Sequence, residues 1–200
     1  MRAHSTHQGR IKYIGLSECT SAELRRAHAV HPVTAVQMEW SLAERGIERS
    51  GLVAACRELD VGMVVYSPLA RGLLAGALAG AGDVASPCDR RANLPRFAAG
   101  NFEANVARAS RLRELAARLR ATPAQLALAW LLLQGDFVFP IPGSKTADRV
   151  EENFAAIELA ERLTEADVAV IGALSFEQEG TRYAAAGTPH TWEARERAAL

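Results

Sequence analysis

The sequence predicts an α/β protein whose parallel strands are joined by helices. Short apolar runs alternate along the chain with longer segments that carry apolar residues at helical spacing. Polar residues recur where the predicted strands end, whereas the starts of the strands lack them. Strands that alternate with helices run parallel and are joined by right-handed crossovers. The four predicted strands fit either an open sheet or half of an eight-fold barrel, and the pattern alone does not choose between them.

Each predicted strand is a short apolar run, and residues that favour the first turn of a helix mark several helix starts. Thr20 and Glu23 form a capping box at the start of the first helix. Thr122 can cap a later helix, and Pro123 then occupies a position that suits proline. The predicted strands are residues 11–16, 33–38, 61–66 and 137–141. After the first helix, the predicted helices are residues 47–59, 102–120, 123–134, 146–156 and 164–174.

Two segments have no clear period. Residues 67–100 are rich in Gly, Ala and Pro, and so long a connection is usually functional or mobile. Residues 180–200 carry weak structural signals, so we expect this end of the chain to fray.

The composition excludes several classes of function. The chain is 49% hydrophobic and 23% charged, which is typical of a folded domain. Its 23 basic and 23 acidic residues balance, so we expect neither nucleic acid nor a membrane as a partner. We find no apolar run near the ~20 residues that span a bilayer and no signal peptide. Three cysteines without CxxC spacing indicate free thiols in the cytoplasm and no metal site.

The segment from Phe137 to Lys145 predicts a phosphate site. A buried strand runs into a turn with Ser144 and Lys145, and Arg149 follows in the first turn of a helix. Backbone N–H groups and a helix amino terminus attract an anion, and the two basic side chains add full positive charge. Taken alone, the segment could also be an ordinary helix start with a solvated basic turn.

Three further segments occur in order before this one. They are residues 13–18 (Tyr-Ile-Gly-Leu-Ser-Glu), 36–39 (Val-Gln-Met-Glu) and 65–69 (Val-Tyr-Ser-Pro-Leu). With them, the chain resembles the second half of an NADP-dependent aldo-keto reductase. The resemblance covers residues 9–181 and implies a partial TIM (β/α)8 barrel, about strands five to eight with their helices. Residues 1–8 do not match, and residues 182–200 form a C-terminal tail.

The resemblance implies a reaction and a cofactor. The family reduces an aldehyde or ketone to an alcohol with NADPH, so the implied substrate is a small carbonyl compound. The adenosine phosphate would lie against Ser144, Lys145 and Arg149, and the adenine would lie near Glu152 and Asn153. Two cations at this place favour the 2′-phosphate, and hence NADP over NAD.

The other end of the cofactor is assigned by the same resemblance. The nicotinamide would stack on Tyr66, and its carboxamide would bond to Ser17 and Gln37. The pyrophosphate would pass three residues that follow Tyr66: Ser67, Leu69 and Gly72. Two positions depart from the family pattern, because many members carry lysine at Gly143 and asparagine at Glu18. We keep Gly143 among the cofactor-binding residues.

The family's catalytic tyrosine, lysine, aspartate and histidine belong to the first half of the barrel, and no segment here matches them. We therefore assign no catalytic residue. Three hypotheses stay open: a reductase that lacks its catalytic half in this chain, an inactive NADP-binding or subunit-like module, and a truncated gene fragment. Half a barrel leaves strand edges unpaired, so we expect a homodimer or pairing with a separate N-terminal half.

Overall fold

The structure is a computed structural model that describes most of the chain. The described residues are 9–78, 81–84, 86, 88–174, 176, 178–184 and 191–198. The prediction for residues 1–8 lies outside this range. No helix in the described part is both long enough and apolar enough to cross a membrane.

A parallel sheet of four strands lies at the centre, and its strand order follows the sequence. The predicted α/β class is therefore confirmed. The first strand begins later than predicted, because pairing with the second strand starts only at Gly15, and Tyr13 is 73% exposed. The strands are β1 (Gly15–Ser17), β2 (Ala35–Glu39), β3 (Gly62–Tyr66) and β4 (Val138–Pro140).

Nine α-helices lie within the described residues. In chain order, they are α1 (Ser21–Val30), α2 (Gly46–Arg49), α3 (Leu52–Glu58), α4 (Asn101–Arg118), α5 (Pro123–Leu132), α6 (Ala147–Phe154), α7 (Ala156–Arg162), α8 (Glu165–Ala173) and α9 (Trp192–Ala198).

The helices differ from the prediction at three places. The single helix predicted over residues 47–59 is divided into α2 and α3, because Gly51 between them adopts a left-handed φ of 76°. A separate helix, α7, follows the one predicted over residues 146–156. The C-terminal helix α9 was not predicted.

One face of the sheet packs against helices and forms the core. Side chains alternate between the two faces of a strand, so Val36 and Met38 of β2 point into this core with Met63 and Val65 of β3. All four are at most 1% exposed. An edge-to-face pair of tryptophans extends the core beyond the strands: Trp40 and Trp130, with ring centroids 6.1 Å apart.

The opposite face of the sheet is open among the described residues. The strand register places Ser17, Gln37, Val64 and Phe139 in one row across it. Ser17 and Gln37 are exposed, and Phe139 is 52% exposed. Parallel sheets normally have both faces covered. This face is therefore the part of the fold that another element would have to cover.

The long connection after β3 is more regular than its sequence suggests. Within its described part, a first stretch, Ala70–Ala75, contains 3-10 turns but is kinked at Arg71 and Gly72. Three 3-10 helices follow, at Ala81–Val84, Arg90–Asn93 and Pro95–Phe97. The last of these packs on α4 through stacked rings of Phe97 and Phe102, whose centroids are 5.7 Å apart. The connection is thereby held against the core at its carboxyl end.

The tail also packs on the rest of the protein where it is described. Asn105 of α4 is 1% exposed, and it bonds to the backbone N–H and C=O of Glu179. Further on, Arg182 is 5% exposed and Trp192 is 6% exposed. The expected fraying is therefore wrong for residues 180–184 and 191–198, because buried side chains anchor them.

Candidate cofactor-binding site

A groove of about 1130 Å³ opens at the carboxyl ends of the strands. It lies between the connection that follows β3 and the turn that follows β4. Ligands of parallel α/β proteins bind at this end of the sheet. The groove is lined by nine of the twelve residues that the sequence assigned to the cofactor: Ser67, Leu69, Gly72, Gly143, Ser144, Lys145, Arg149, Glu152 and Asn153.

The turn after β4 forms one wall of the groove. Thr146 caps α6 by accepting a hydrogen bond from the N–H of Arg149, at 3.4 Å. Asn153 reaches back from the same helix and donates to Ser144 Oγ at 2.9 Å. A Cβ at Gly143 would meet nothing within 4 Å, so contacts at that atom do not require glycine at this position. The helix start and the basic residues thus face one space.

The connection after β3 forms the opposite wall and begins with a tight turn. Ala70, Arg71 and Gly72 have consecutive positive φ angles of 48°, 58° and 97°. Residues other than glycine rarely adopt this conformation, which stores strain and is concentrated at binding sites. At Gly72 the φ of 97° itself favours glycine, and a Cβ there would also lie 3.2 Å from an Arg91 guanidinium nitrogen, which would have to shift slightly.

The groove carries a net excess of positive charge. Its basic residues outnumber its acidic ones by five to two, counting Arg71, Arg90, Arg91, Lys145 and Arg149 against Asp89 and Glu152.

The charges in the groove are not equally available to a ligand. Arg91 bonds to Asp89 at 2.6 Å and lowers the pKa of that carboxyl to about 2, and Lys145 adds to the shift. Asp89 is therefore ionised at neutral pH, and it holds Arg91. Within the described residues, neither Lys145 nor Arg149 has a carboxylate within ion-pairing distance. Lys145 and Arg149 are therefore free to meet an anion, as is Arg90 on the opposite wall, which forms no ion pair within the described residues either.

Tyr66 lies at the end of β3, beside the groove, and its hydroxyl is held by three residues. It donates to Glu18 Oε1 at 2.7 Å and accepts from Arg182 Nη2 at 2.6 Å. The hydroxyl of Tyr183 lies 3.2 Å away. Burial raises the pKa of Tyr66 far above its usual range; the positive charge of Arg182 opposes this, and Glu39 adds to it. Tyr66 is therefore neutral, with its hydroxyl fixed.

Ser17 and Gln37 are not brought into the groove. Ser17 is the last residue of β1 and pairs directly with Gln37 of β2. Both side chains are exposed on the open face of the sheet. Their predicted contact with a carboxamide stays a prediction. Among the described residues, no cluster of His, Cys, Asp and Glu could hold a metal ion.

The sequence analysis missed Arg182 and Tyr183, which it left in a tail without a role. A signal was available, because Glu18 and Glu39 stand at two neighbouring strand ends and carboxylates in such places need a basic partner. Asp89 and Arg91 were also missed. Their pairing lies within a segment that has no period.

The model of the aldo/keto reductase family matches residues 3–175. A probable aldo-keto reductase 1 from Glycine max is 47% identical over 164 residues, covering 80% of this chain and 45% of the relative. Aldo-keto reductase yakc [NADP(+)] from Schizosaccharomyces pombe is 44% identical over 162 residues, which are 80% of this chain and 47% of that one.

Two solved structures share the fold of this chain. A thermostable aldo-keto reductase in complex with the inhibitor epalrestat superposes with a TM-score of 0.64 at 27% identity, over 86% of this chain and 52% of that chain. A glycerol dehydrogenase from Gluconobacter oxydans gives a TM-score of 0.71 at 24% identity and so shows the fold alone, over 86% and 51% of the two chains. The chain spans about half the length of the relatives that it matches. From the extent of the family match and the identity to these relatives, the chain belongs to the aldo-keto reductase family.

Proposed function

We propose that this chain is the cofactor-binding half of an NADPH-dependent reductase of aldehydes or ketones. The observation that carries the proposal is the basic groove, in which Ser144, Lys145 and Arg149 face the strained turn after β3. A dinucleotide that bridged the two walls would place its phosphates between positive charges. One relative is itself named for NADP(+), which supports the choice of cofactor.

The preference for NADPH follows from two cations on the wall after β4, which have no carboxylate partner within the described residues. A 2′-phosphate supplies the charge that Lys145 and Arg149 lack within the described residues, and hydrogen bonds to a charged group contribute about 1.5–3 kcal/mol each. NADH has no such phosphate. We also propose that the protein is cytoplasmic, because the free thiols of Cys19, Cys56 and Cys88 would stay reduced there.

Substitution of Arg149 tests the cofactor assignment. Arg149→Ala should weaken NADPH binding by about 10-fold or more and leave NADH binding nearly unchanged. Fluorescence titration of each nucleotide measures both constants. Arg111→Ala is the matched control, because Arg111 is an exposed arginine of α4 that does not line the groove. An equal loss for NADPH and NADH would contradict the assignment.

Catalysis by this chain alone is not part of the proposal. The sequence offers no match to the family's catalytic tyrosine and its partners, and a positioned acid or base contributes typically ~10²–10⁴-fold. We therefore propose that the chain needs the other half of the barrel for turnover. With 4-nitrobenzaldehyde as substrate, we expect no measurable NADPH oxidation by the chain alone and some activity after a separately made N-terminal half is added.

The open face of the sheet favours a second candidate, an inactive NADP-binding module that pairs with another chain. Phe139 lies in the exposed row across the sheet, and Ile141 beyond it is 47% exposed. Exposed strand edges and apolar faces drive association. We propose that the isolated chain forms a homodimer through this face, unless an N-terminal half occupies it.

Light scattering tests the assembly. Phe139→Lys should shift the isolated chain from a dimer toward a monomer, because it places a charge in the proposed interface. Val30→Lys is the control, since Val30 is 76% exposed at the end of α1 and is not on the sheet. A wild-type monomer that reduces aldehydes unaided would overturn both candidates. An aggregate that binds neither nucleotide would favour the truncated gene fragment.

A further inference from the structure

One guanidinium joins the ends of three neighbouring strands. Arg182 comes from the C-terminal segment and bonds to Glu18 just after β1, to Glu39 at the end of β2 and to Tyr66 at the end of β3. These elements are separate in the sequence, and the residue that links them was predicted only as tail. We propose that Arg182 is a positioning residue for the nicotinamide, which acts by holding the ring of Tyr66 in place. The inference rests on the proposed NADP function.

All three guanidinium nitrogens of Arg182 donate hydrogen bonds. Its Nε donates to Glu39 at 3.0 Å, and its two terminal nitrogens donate to the two oxygens of Glu18 at 2.9 and 3.3 Å. A further bond of 2.7 Å reaches Glu193 of α9. Only arginine offers planar donors in this arrangement, since lysine presents a single charged atom. The geometry of the site is therefore specific to the guanidinium.

Because the charged groups of Arg182 and Glu39 are buried, each of them needs a partner of opposite charge. Arg182 is 5% exposed and Glu39 is 2% exposed. A buried charge without a partner is strongly unfavourable, so the side chain of Arg182 has little freedom to leave. Hydrogen bonds from Arg182 lower the pKa of Glu193 although burial opposes this, which keeps that carboxylate ionised and paired. The guanidinium is thus a fixed point in the site.

Tyr66 is held at this fixed point through its hydroxyl. The donor bond to Glu18 and the acceptor bond from Arg182 restrict the ring, which could otherwise rotate about its side-chain bonds. The next residue of the tail supports the same arrangement. The guanidinium carbons of Arg71 and Arg182 both lie over the ring of Tyr183, at 5.4 and 5.3 Å from its centroid. Arg71 in turn lines the groove.

This geometry gives Arg182 an effect on one end of the cofactor only. A ring that is held in one orientation is ready to stack on the nicotinamide, and such preorganisation improves affinity without a new contact. In the proposed binding mode the adenosine end would lie against the turn after β4, whereas the hydrogen bonds of Arg182 go to Glu18, Glu39, Tyr66 and Glu193. A loss of Arg182 should therefore affect ligands that contain the nicotinamide and spare those that lack it.

The experiment compares NADPH with 2′-phospho-ADP-ribose, which lacks the nicotinamide, by isothermal titration calorimetry. Arg182→Met should weaken NADPH by about 10-fold and 2′-phospho-ADP-ribose by less than about 2-fold. The control is Arg195→Met, which removes another ion pair between tail and body, Arg195 to Glu23 at 3.1 Å. This control should change neither ligand by more than about 2-fold.

Variants of Tyr66 distinguish a role of Arg182 in positioning this ring from a role in merely holding the C-terminal segment in place. Tyr66→Phe keeps the ring but loses the hydroxyl, so it should weaken NADPH by about 3-fold, whereas Tyr66→Ala should weaken it by about 10-fold or more. In the Phe background, Arg182→Met should add less than about 3-fold, because its contact with Tyr66 is already gone.

The outcomes are distinct. Equal weakening of both ligands by Arg182→Met, or its full effect in the Tyr66→Phe background, would overturn the inference and leave the cofactor assignment intact. A wild-type chain that binds neither ligand overturns the proposed function and this inference with it. If Arg182→Met does not fold, Tyr66→Phe decides: an NADPH affinity unchanged relative to 2′-phospho-ADP-ribose would refute a role for the hydroxyl contact.

Discussion

Asn105 should control whether the C-terminal segment stays on the protein. Its amide donates to the carbonyl of Arg96 at 3.0 Å and to that of Glu179 at 3.1 Å, and its oxygen accepts from the N–H of Glu179 at 2.8 Å. Asn105→Ala removes these three bonds, and a longer one of 3.5 Å from Arg108, at a site that is 1% exposed. The backbone groups of two segments then lose their partners at once.

The magnitude follows from the number of bonds lost. Each hydrogen bond contributes about 0.5–1.5 kcal/mol net, so the three together lower the free energy of unfolding by about 2–4 kcal/mol. The loss falls on the segment that carries Arg182, whose local opening should become about 30-fold or more frequent. The network around Tyr66 would open with it.

Urea denaturation measures the first quantity, and limited trypsin digestion measures the second. Mass spectrometry should show that the bond between Arg182 and Tyr183 is cleaved about 30-fold or more faster in Asn105→Ala than in the wild type. Asn101→Ala is the control, because Asn101 lies one turn earlier in α4 and makes a single bond of 2.9 Å to Pro95. Equal cleavage rates in the two variants would refute the tether.

Two further predictions concern other parts of the molecule. Gly180→Ala should lower the free energy of unfolding by about 2 kcal/mol more than Gly100→Ala. Both glycines have left-handed φ angles, of 88° and 84°, but only at Gly180 would a Cβ meet backbone, at 2.7 Å; equal losses in urea denaturation would contradict the packing. With a thiol reagent near neutral pH, the exposed Cys88 should react in the native state, whereas two buried thiols should react only after denaturation. Their pKa values are raised by burial, to about 11 for Cys19 and about 12 for Cys56, and fast labelling of either would show that the core is open.

Features that depend on neighbours in the sequence were predicted well. The capping box of Thr20 and Glu23 forms as expected, and so does the cap of Thr122 before Pro123. The alternation of strands and helices is confirmed for the same reason, since the spacing of apolar residues that marks a strand or a helix is contained in a few consecutive residues. The turn with Lys145 and Arg149 also lies in one short segment, and the structure places it in one wall of the groove; its role in binding a phosphate stays a prediction.

Boundaries were predicted less well, because tertiary contacts set them. The first predicted strand included residues 11–14, but pairing with β2 is what makes β1 a strand, and that pairing begins at Gly15. Helix α9 was missed because its support is distant: Arg182 pairs with Glu193, and Arg195 pairs with Glu23.

The sequence by itself determined the family, the parallel α/β class and the basic turn after β4. Each of these depends on short motifs whose residues are close together in the chain. Only the tertiary structure decided that Arg182 meets Glu18, 164 residues away, and Tyr66, 116 residues away. No local pattern encodes such a contact, since it exists only when the folded core brings the strand ends and the tail to one place and excludes water from the charges.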